Sequence, residues 1–264
     1  MLIKRKSIEA DANRKEGPGN RTRKPKFALV TLSEEDGVLF LHFGTPWIQG
    51  AMRRRKPDWL ELEYAQQMMA WMLFKDTAQH IVQLGLGSAA LTKFCYRHFP
   101  TSRVTAVELN PDVVAVCRSM FKLPPDDERL SVLQMDAMDY VLDAAHHGSV
   151  DALQVDLYDA TVRGPVLDTP QFYAACAATL AHNGIMTVNL FGDHPSYEKN
   201  LKAMRTAFPC VLCLPPVHEG NVVALAFKTR PALDFSALYT RADAIQRETR
   251  LPAKSWVNGI KSAV

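Results

Sequence analysis

Residues 80–108, HIVQLGLGSAALTKFCYRHFPTSRVTAVE, hold the pattern that decides the fold. The run Ile81-Val82-Gln83-Leu84 reads as a strand, and Gly85-Leu86-Gly87-Ser88 follows it directly. A helix is predicted over 88–99, and a second strand over 103–108 that closes on an acid, Glu108. This is the opening of a nucleoside-binding βαβ unit. Glycines let the backbone come close to a ligand, and a helix N-terminus offers free N–H groups. A carboxylate ending the second strand can accept both hydroxyls of a ribose. A lone Gly-x-Gly is weak, and position 90, where a third glycine is expected, is Ala90, a tolerated replacement.

The alternation continues downstream. Further strands are predicted over 130–135, 150–156 and 185–190, with helices near 111–121, 170–182 and 195–207. Two runs, 209–214 and 222–228, close the sheet as a hairpin, and a last helix spans about 235–250. The expected fold is therefore α/β: a doubly wound, mostly parallel, seven-stranded sheet. Three acids, Glu108, Asp136 and Asp156, sit where strands end on their carboxyl side, the edge at which open α/β sheets bind ligands. Asp136, in Gln134-Met135-Asp136-Ala137, reads either as a partner for an adenine amino group or as a helix N-cap. Asp136 and the pair Asp156/Asp159 favour a nucleoside sulfonium over a nicotinamide.

Three domains are expected: a basic disordered tail over 1–26, a small β-region over 27–56, and a Rossmann-like domain over 57–264. The tail carries Lys4, Arg5, Lys6, Arg14, Lys15, Arg21, Arg23, Lys24 and Lys26. Strands are predicted at 27–32 and 38–43 with a third piece at 47–49, and one helix from Pro57 to about Phe74. Of the 264 residues 47% are hydrophobic and 22% charged, as in a soluble globular chain. The net charge of +3 is too small to argue for nucleic acid. No apolar run is long enough for a membrane span, and no signal peptide is seen at the N-terminus. Five cysteines without framework spacing suit a reducing cytoplasm, and no His, Cys and acid set has metal spacing, so no metal is expected.

Asp156 to Tyr173, DLYDATVRGPVLDTPQFY, is the most specific stretch. Two carboxylates three residues apart close a strand, a Gly-Pro loop follows, and a helix opens at Thr169-Pro170. That layout suits a lid over a pocket. With Gln49, the segment Glu61-Leu62-Glu63-Tyr64, the glycine-rich turn, Glu108 and Asp136-Ala137, it resembles the spermidine synthase (aminopropyltransferase) family, a branch of the S-adenosylmethionine-dependent (class I) methyltransferase fold. The likeness covers roughly residues 38–228.

The resemblance implies a small N-terminal β-region, a homodimer, and transfer of an aminopropyl group from decarboxylated S-adenosylmethionine to a small-molecule amine. It implies that Glu108 holds the ribose, that Asp136 and Ala137 flank the adenine, and that Gln49, Gly85 and Gly87 lie near the donor. Asp156 would deprotonate the attacking amine, and Asp159 and Tyr64 would position it. Three departures stand out. Ser88 occupies the place of the family's Asp, which binds the donor's free amine. Val217, beside His218, replaces an aromatic. The lid is longer and carries Arg163, and Arg53, Arg54 and Arg55 follow Gln49. Ser88 motivates a second reading, a methyltransferase using intact S-adenosylmethionine. Ser88 and Val217 together motivate a third, a nucleoside-binding relative without turnover.

Overall fold

Two aperiodic polar residues start the fold's first sheet. Asp36 and Gly37 both have positive φ, +50° and +72°, the geometry of a two-residue hairpin whose twist matches its strands. In the computed structural model, which describes residues 27–158, 164–217 and 220–263, this turn joins β1 (Val30–Glu35) to β2 (Val38–Phe43). β3 (Gly50–Arg53) pairs antiparallel to β2 and completes a three-stranded sheet. The expected basic tail, and with it Asp159, Arg163 and His218, lies outside the described residues.

The expected helix over 57–74 is two short pieces. α1 covers only Glu63–Gln67, and a 3-10 turn covers Ala70–Leu73. The Met68 carbonyl between them accepts from Gln154 Nε2 at 3.4 Å and Thr187 Oγ1 at 3.1 Å. Buried side chains of the sheet thus satisfy a carbonyl at the break between the two pieces.

The main sheet has seven strands: β4 (His80–Leu84), β5 (Arg103–Glu108), β6 (Leu130–Gln134), β7 (Val150–Val155), β8 (Leu180–Phe191), β9 (Cys210–Cys213) and β10 (Asn221–Phe227). Their order is β6-β5-β4-β7-β8-β10-β9. The first five are mutually parallel, and β10 and β9 add antiparallel. The chain runs outward from β4 to β6 and then returns to the other side of β4 at β7. Between β4 and β7 the winding reverses, which opens a crevice at the carboxyl edge.

Helices cover both faces. One core packs Ile81, Val104 and Ala106 and alternate β10 residues Val223, Leu225 and Phe227 under α2 (Ala90–His98), α3 (Pro111–Ser119), α7 (Phe235–Thr249) and α8 (Ala253–Ala263). The other packs Val82, Leu84 and Val107 and the intervening Val222, Ala224 and Ala226 under α4 (Ala137–Leu142), α5 (Pro170–Thr179) and α6 (Ser196–Ala207). This is the α/β, doubly wound, mostly parallel seven-stranded sheet with a small N-terminal sheet that the pattern predicts.

β8 begins at Leu180, inside the segment expected to end a helix. Its register against β7 shifts between Val150 and Ala152. A Cβ on Gly184 would lie 2.9 Å from the Val150 carbonyl oxygen, so the irregularity needs a glycine. α4 and α8 were not foreseen. α4 is short, and α8 follows Leu251-Pro252 with Trp256, Val257 and Ile260 buried at helical spacing.

Candidate active site

The carboxyl ends of the strands and the small sheet above them enclose a cavity of about 320 Å³. β6 contributes Met135, Asp136 and Ala137 at its end; β5 contributes Glu108 to Asn110; β4 contributes Gly85 and Gly87. β7 leads to Asp156, Leu157 and Tyr158, while β8 and β10 contribute Asn189 and Asn221. Strands lie about 4.8 Å apart, so the floor from β6 to β7 spans roughly 14 Å and continues to β10. That is room for a nucleoside lying across the sheet with a short chain beyond it.

At the β5 end, backbone amides organise the carboxylate. Glu108 Oε2 accepts from the Leu86 N–H at 3.0 Å, and Oε1 accepts from the Asn110 N–H at 2.8 Å. Burial raises its pKa, while hydrogen bonds from Asn110, Leu86 and Leu109 amides oppose the shift. Asp136 Oδ1 caps α4 by accepting from the Met138 N–H at 2.7 Å, and Asp136 also lines the cavity. The cap and the ligand-facing position are therefore the same residue.

At the β7 end, side chains organise the carboxylate. Asp156 Oδ1 accepts from Asn189 Nδ2 at 2.8 Å, and Oδ2 accepts from the Tyr64 hydroxyl at 3.3 Å. Asn189 Oδ1 in turn accepts from Asn221 Nδ2 at 2.9 Å. Burial raises the Asp156 pKa, and the Asn189 and Tyr64 hydrogen bonds pull it back. A carboxylate with a raised pKa is better suited to take a proton near neutrality than a free aspartate.

Gly85 joins the two ends. It has φ +88°, and a Cβ there would lie 2.2 Å from the Asp156 carbonyl oxygen. The glycine's first partner is thus the backbone after β7, which it lets close onto the β4 turn. Beyond Tyr158 the described chain resumes against the same wall. The Val166 N–H donates to the Leu157 carbonyl at 3.0 Å, and Val166 and Leu167 line the cavity.

Of the residues expected at the site, Gln49, Tyr64, Gly85, Gly87, Glu108, Asp136, Ala137 and Asp156 all line this cavity. Ser88 does not. It is 2% exposed, donates to the Ala51 carbonyl at 3.1 Å, and borders a small adjoining pocket of about 20 Å³ with Gln49, Tyr64 and Asp156. Arg53 and Arg54 do not enter either space: Arg53 pairs with Glu61, and Arg54 with Glu34 at 2.7 Å. Neither cavity has a lysine or arginine among its described lining residues.

Asn189 and Asn221 were missed. Each is a lone amide near the rim end of an apolar strand, and a polar residue in so buried a run is the signal that could have found them. Among the described residues no group of three or more His, Cys, Asp or Glu is placed to hold a metal.

The spermine/spermidine synthase domain model matches residues 61–237. A polyamine aminopropyltransferase of Chromobacterium violaceum is 32% identical over 234 residues, covering 88% of this chain and 89% of that protein. The crystal structure of a spermidine synthase in complex with the transition-state analogue AdoDATO superposes with a TM-score of 0.66 at 16% identity, covering 88% of this chain and 84% of that one. Human methyltransferase-like protein 13 in complex with SAH superposes with a TM-score of 0.62 at 23% identity, covering 72% of this chain and 93% of that one. The last two likenesses show the fold, and the first two show the lineage: this chain belongs to the spermine/spermidine synthase family.

Proposed function

We propose that the protein transfers an aminopropyl group from decarboxylated S-adenosylmethionine to a small amine acceptor. One observation carries this reading. The lining of the cavity includes three carboxylates, Glu108, Asp136 and Asp156, and no cation among the described residues. A cationic donor and a polyamine acceptor suit such a space, whereas a donor that keeps its carboxylate finds no cation for it among the described lining residues.

The chemistry follows from where the groups sit. The nucleoside lies over β5 and β6, its ribose on Glu108 and its base beside Asp136 and Ala137. Its sulfonium then falls near Gln49, Gly85 and Gly87, with the aminopropyl chain toward Asp156. An acceptor amine is an ammonium at neutral pH and has no lone pair to attack with. Asp156 takes its proton, helped by a raised pKa. The amine nitrogen attacks the methylene bonded to sulfur, the C–S bond breaks, and its electron pair stays on sulfur. Neutral methylthioadenosine leaves, and the proton passes from Asp156 to water. Since the sulfonium carbon is already activated, alignment supplies most of the remaining rate. Tyr64 and Asn189 fix the Asp156 carboxylate, and Asp159 would hold the distal ammonium.

Ser88 departs from the family at the donor's amine. Its hydroxyl is committed to Ala51, so Asp156 is the only acid among the described residues of the small pocket beside it. Homodimer assembly and a cytoplasmic location belong to the same proposal and rest on the likeness to the family. Incubation with decarboxylated S-adenosylmethionine and a diamine should release methylthioadenosine and an aminopropylated product. A methylated product from intact S-adenosylmethionine, with none from the decarboxylated donor, would overturn the reading.

A further inference from the structure

We propose that Phe27 and Ala28, in the stretch that leads into β1, form a wall of the nucleoside end of the site, with Phe27 covering the ligand's base. This rests on the functional reading above and adds binding residues to it. The stretch precedes β1 and takes no part in the three-stranded sheet. It is held instead against the rim of the large sheet. Asn110 Nδ2 donates to the Ala28 carbonyl at 3.2 Å, across 82 positions of sequence. Both Phe27 and Ala28 line the cavity, beside Leu109, which is 49% exposed although apolar.

Asn110 ties this wall to the ribose carboxylate. Its backbone N–H donates to Glu108 Oε1, its Oδ1 caps α3 by accepting from the Asp112 N–H at 3.0 Å, and its Nδ2 holds Ala28. One residue therefore sets the ribose acceptor, the helix start and the position of the aromatic wall. An aromatic face and the exposed Leu109 are what a flat purine needs for contact on its surface. They provide nothing for the acceptor, which binds at the Asp156 end. Phe27 is thus a specificity residue for the donor alone.

The test is calorimetry with methylthioadenosine on the full chain and on Phe27→Ala, Phe27→Tyr and Asn110→Ser, each checked by its ligand-free melting curve. Phe27→Ala should weaken binding about ten-fold, the range of an aromatic contact with a base. Phe27→Tyr should restore it, and Asn110→Ser, which keeps a capping hydroxyl but cannot reach Ala28, should fall between. Steady-state kinetics should place the change in the donor KM, with the acceptor KM and kcat unmoved. A Phe27→Ala protein that melts normally and binds within two-fold of wild type would overturn the inference and leave the proposed function standing. A wild-type protein that binds no methylthioadenosine would overturn both.

Discussion

The two ends of the cavity hold their carboxylates by different means. Glu108 is fixed by backbone amides from the β4 turn and from its own loop. Asp156 is fixed by side chains, Tyr64 from 92 residues away and Asn189 from 33 away. Backbone donors survive every side-chain substitution except proline. Side-chain donors can change one residue at a time. On the proposed function, the comparison teaches that the end assigned to the nucleoside belongs to the fold, while the end assigned to the reaction belongs to a few exchangeable residues mounted on it.

The largest effect should come from breaking the reacting end. Asp156→Asn should lower kcat by about 10²–10⁴-fold, the usual contribution of a general base. Affinity for methylthioadenosine should stay within a few-fold of wild type in calorimetry. A turnover that survives would show that the proton leaves by another route.

Next comes the join between the ends. Gly85→Ala adds a Cβ at 2.2 Å from the Asp156 carbonyl oxygen on a backbone with φ +88°. Denaturant unfolding should show a loss of about 1–3 kcal/mol, and both donor and acceptor KM should rise because both ends move. A stable variant with only one KM altered would mean that the ends are not coupled through this turn.

The nucleoside end should yield a smaller and cleaner change. Glu108→Gln keeps the shape and removes the charge, which should cost about 1.5–3 kcal/mol of nucleoside affinity. The acceptor KM should not move, and equal rises in both constants would contradict the division into two ends.

The smallest effect is a displaced pH profile. Burial already raises the Asp156 pKa, and Asn189 opposes that shift. The base must be ionised, so activity is lost as pH falls through a value above that of a free aspartate. Asn189→Leu removes a donor to the charged form, and the acid limb of kcat/KM should move to higher pH. Stability has the opposite sign. A carboxyl raised in the folded state favours folding fully below its unfolded pKa, and loses that contribution as pH rises through the folded one. An acid limb unmoved by Asn189→Leu would show that Asp156 is not the group titrating in it.

The same contrast explains what the sequence made legible. Glu108, Asp136 and Asp156 could be placed because a parallel strand has a readable end, and an acid there can only face the rim. The doubly wound, mostly parallel sheet with its closing hairpin followed from the alternation of elements, whereas the place of β10 between β8 and β9 is seen only in the structure. The partners of Asp156 were harder to see. Tyr64 came from the family resemblance, and Asn189 and Asn221 are single amides whose pairing depends on β8, β10 and β7 lying near one another. The break at Met68 was hidden for a related reason. Local spacing from Leu60 to Met72 favours one helix, and only the buried Gln154 and Thr187 side chains show why the Met68 carbonyl is satisfied elsewhere. The resemblance places Ser88 at the family's donor-amine position, but its bond to the Ala51 carbonyl depends on β3 passing beside the glycine-rich turn, which the sequence does not show.

The central claim is that a cavity lined by three carboxylates, with no cation among its described lining residues, selects a donor lacking a carboxylate. Competition calorimetry of decarboxylated against intact S-adenosylmethionine on the wild-type protein tests it most directly. The decarboxylated form should bind at least ten-fold more tightly, the scale of one charge-assisted hydrogen bond. Tighter binding of the intact form would contradict the account.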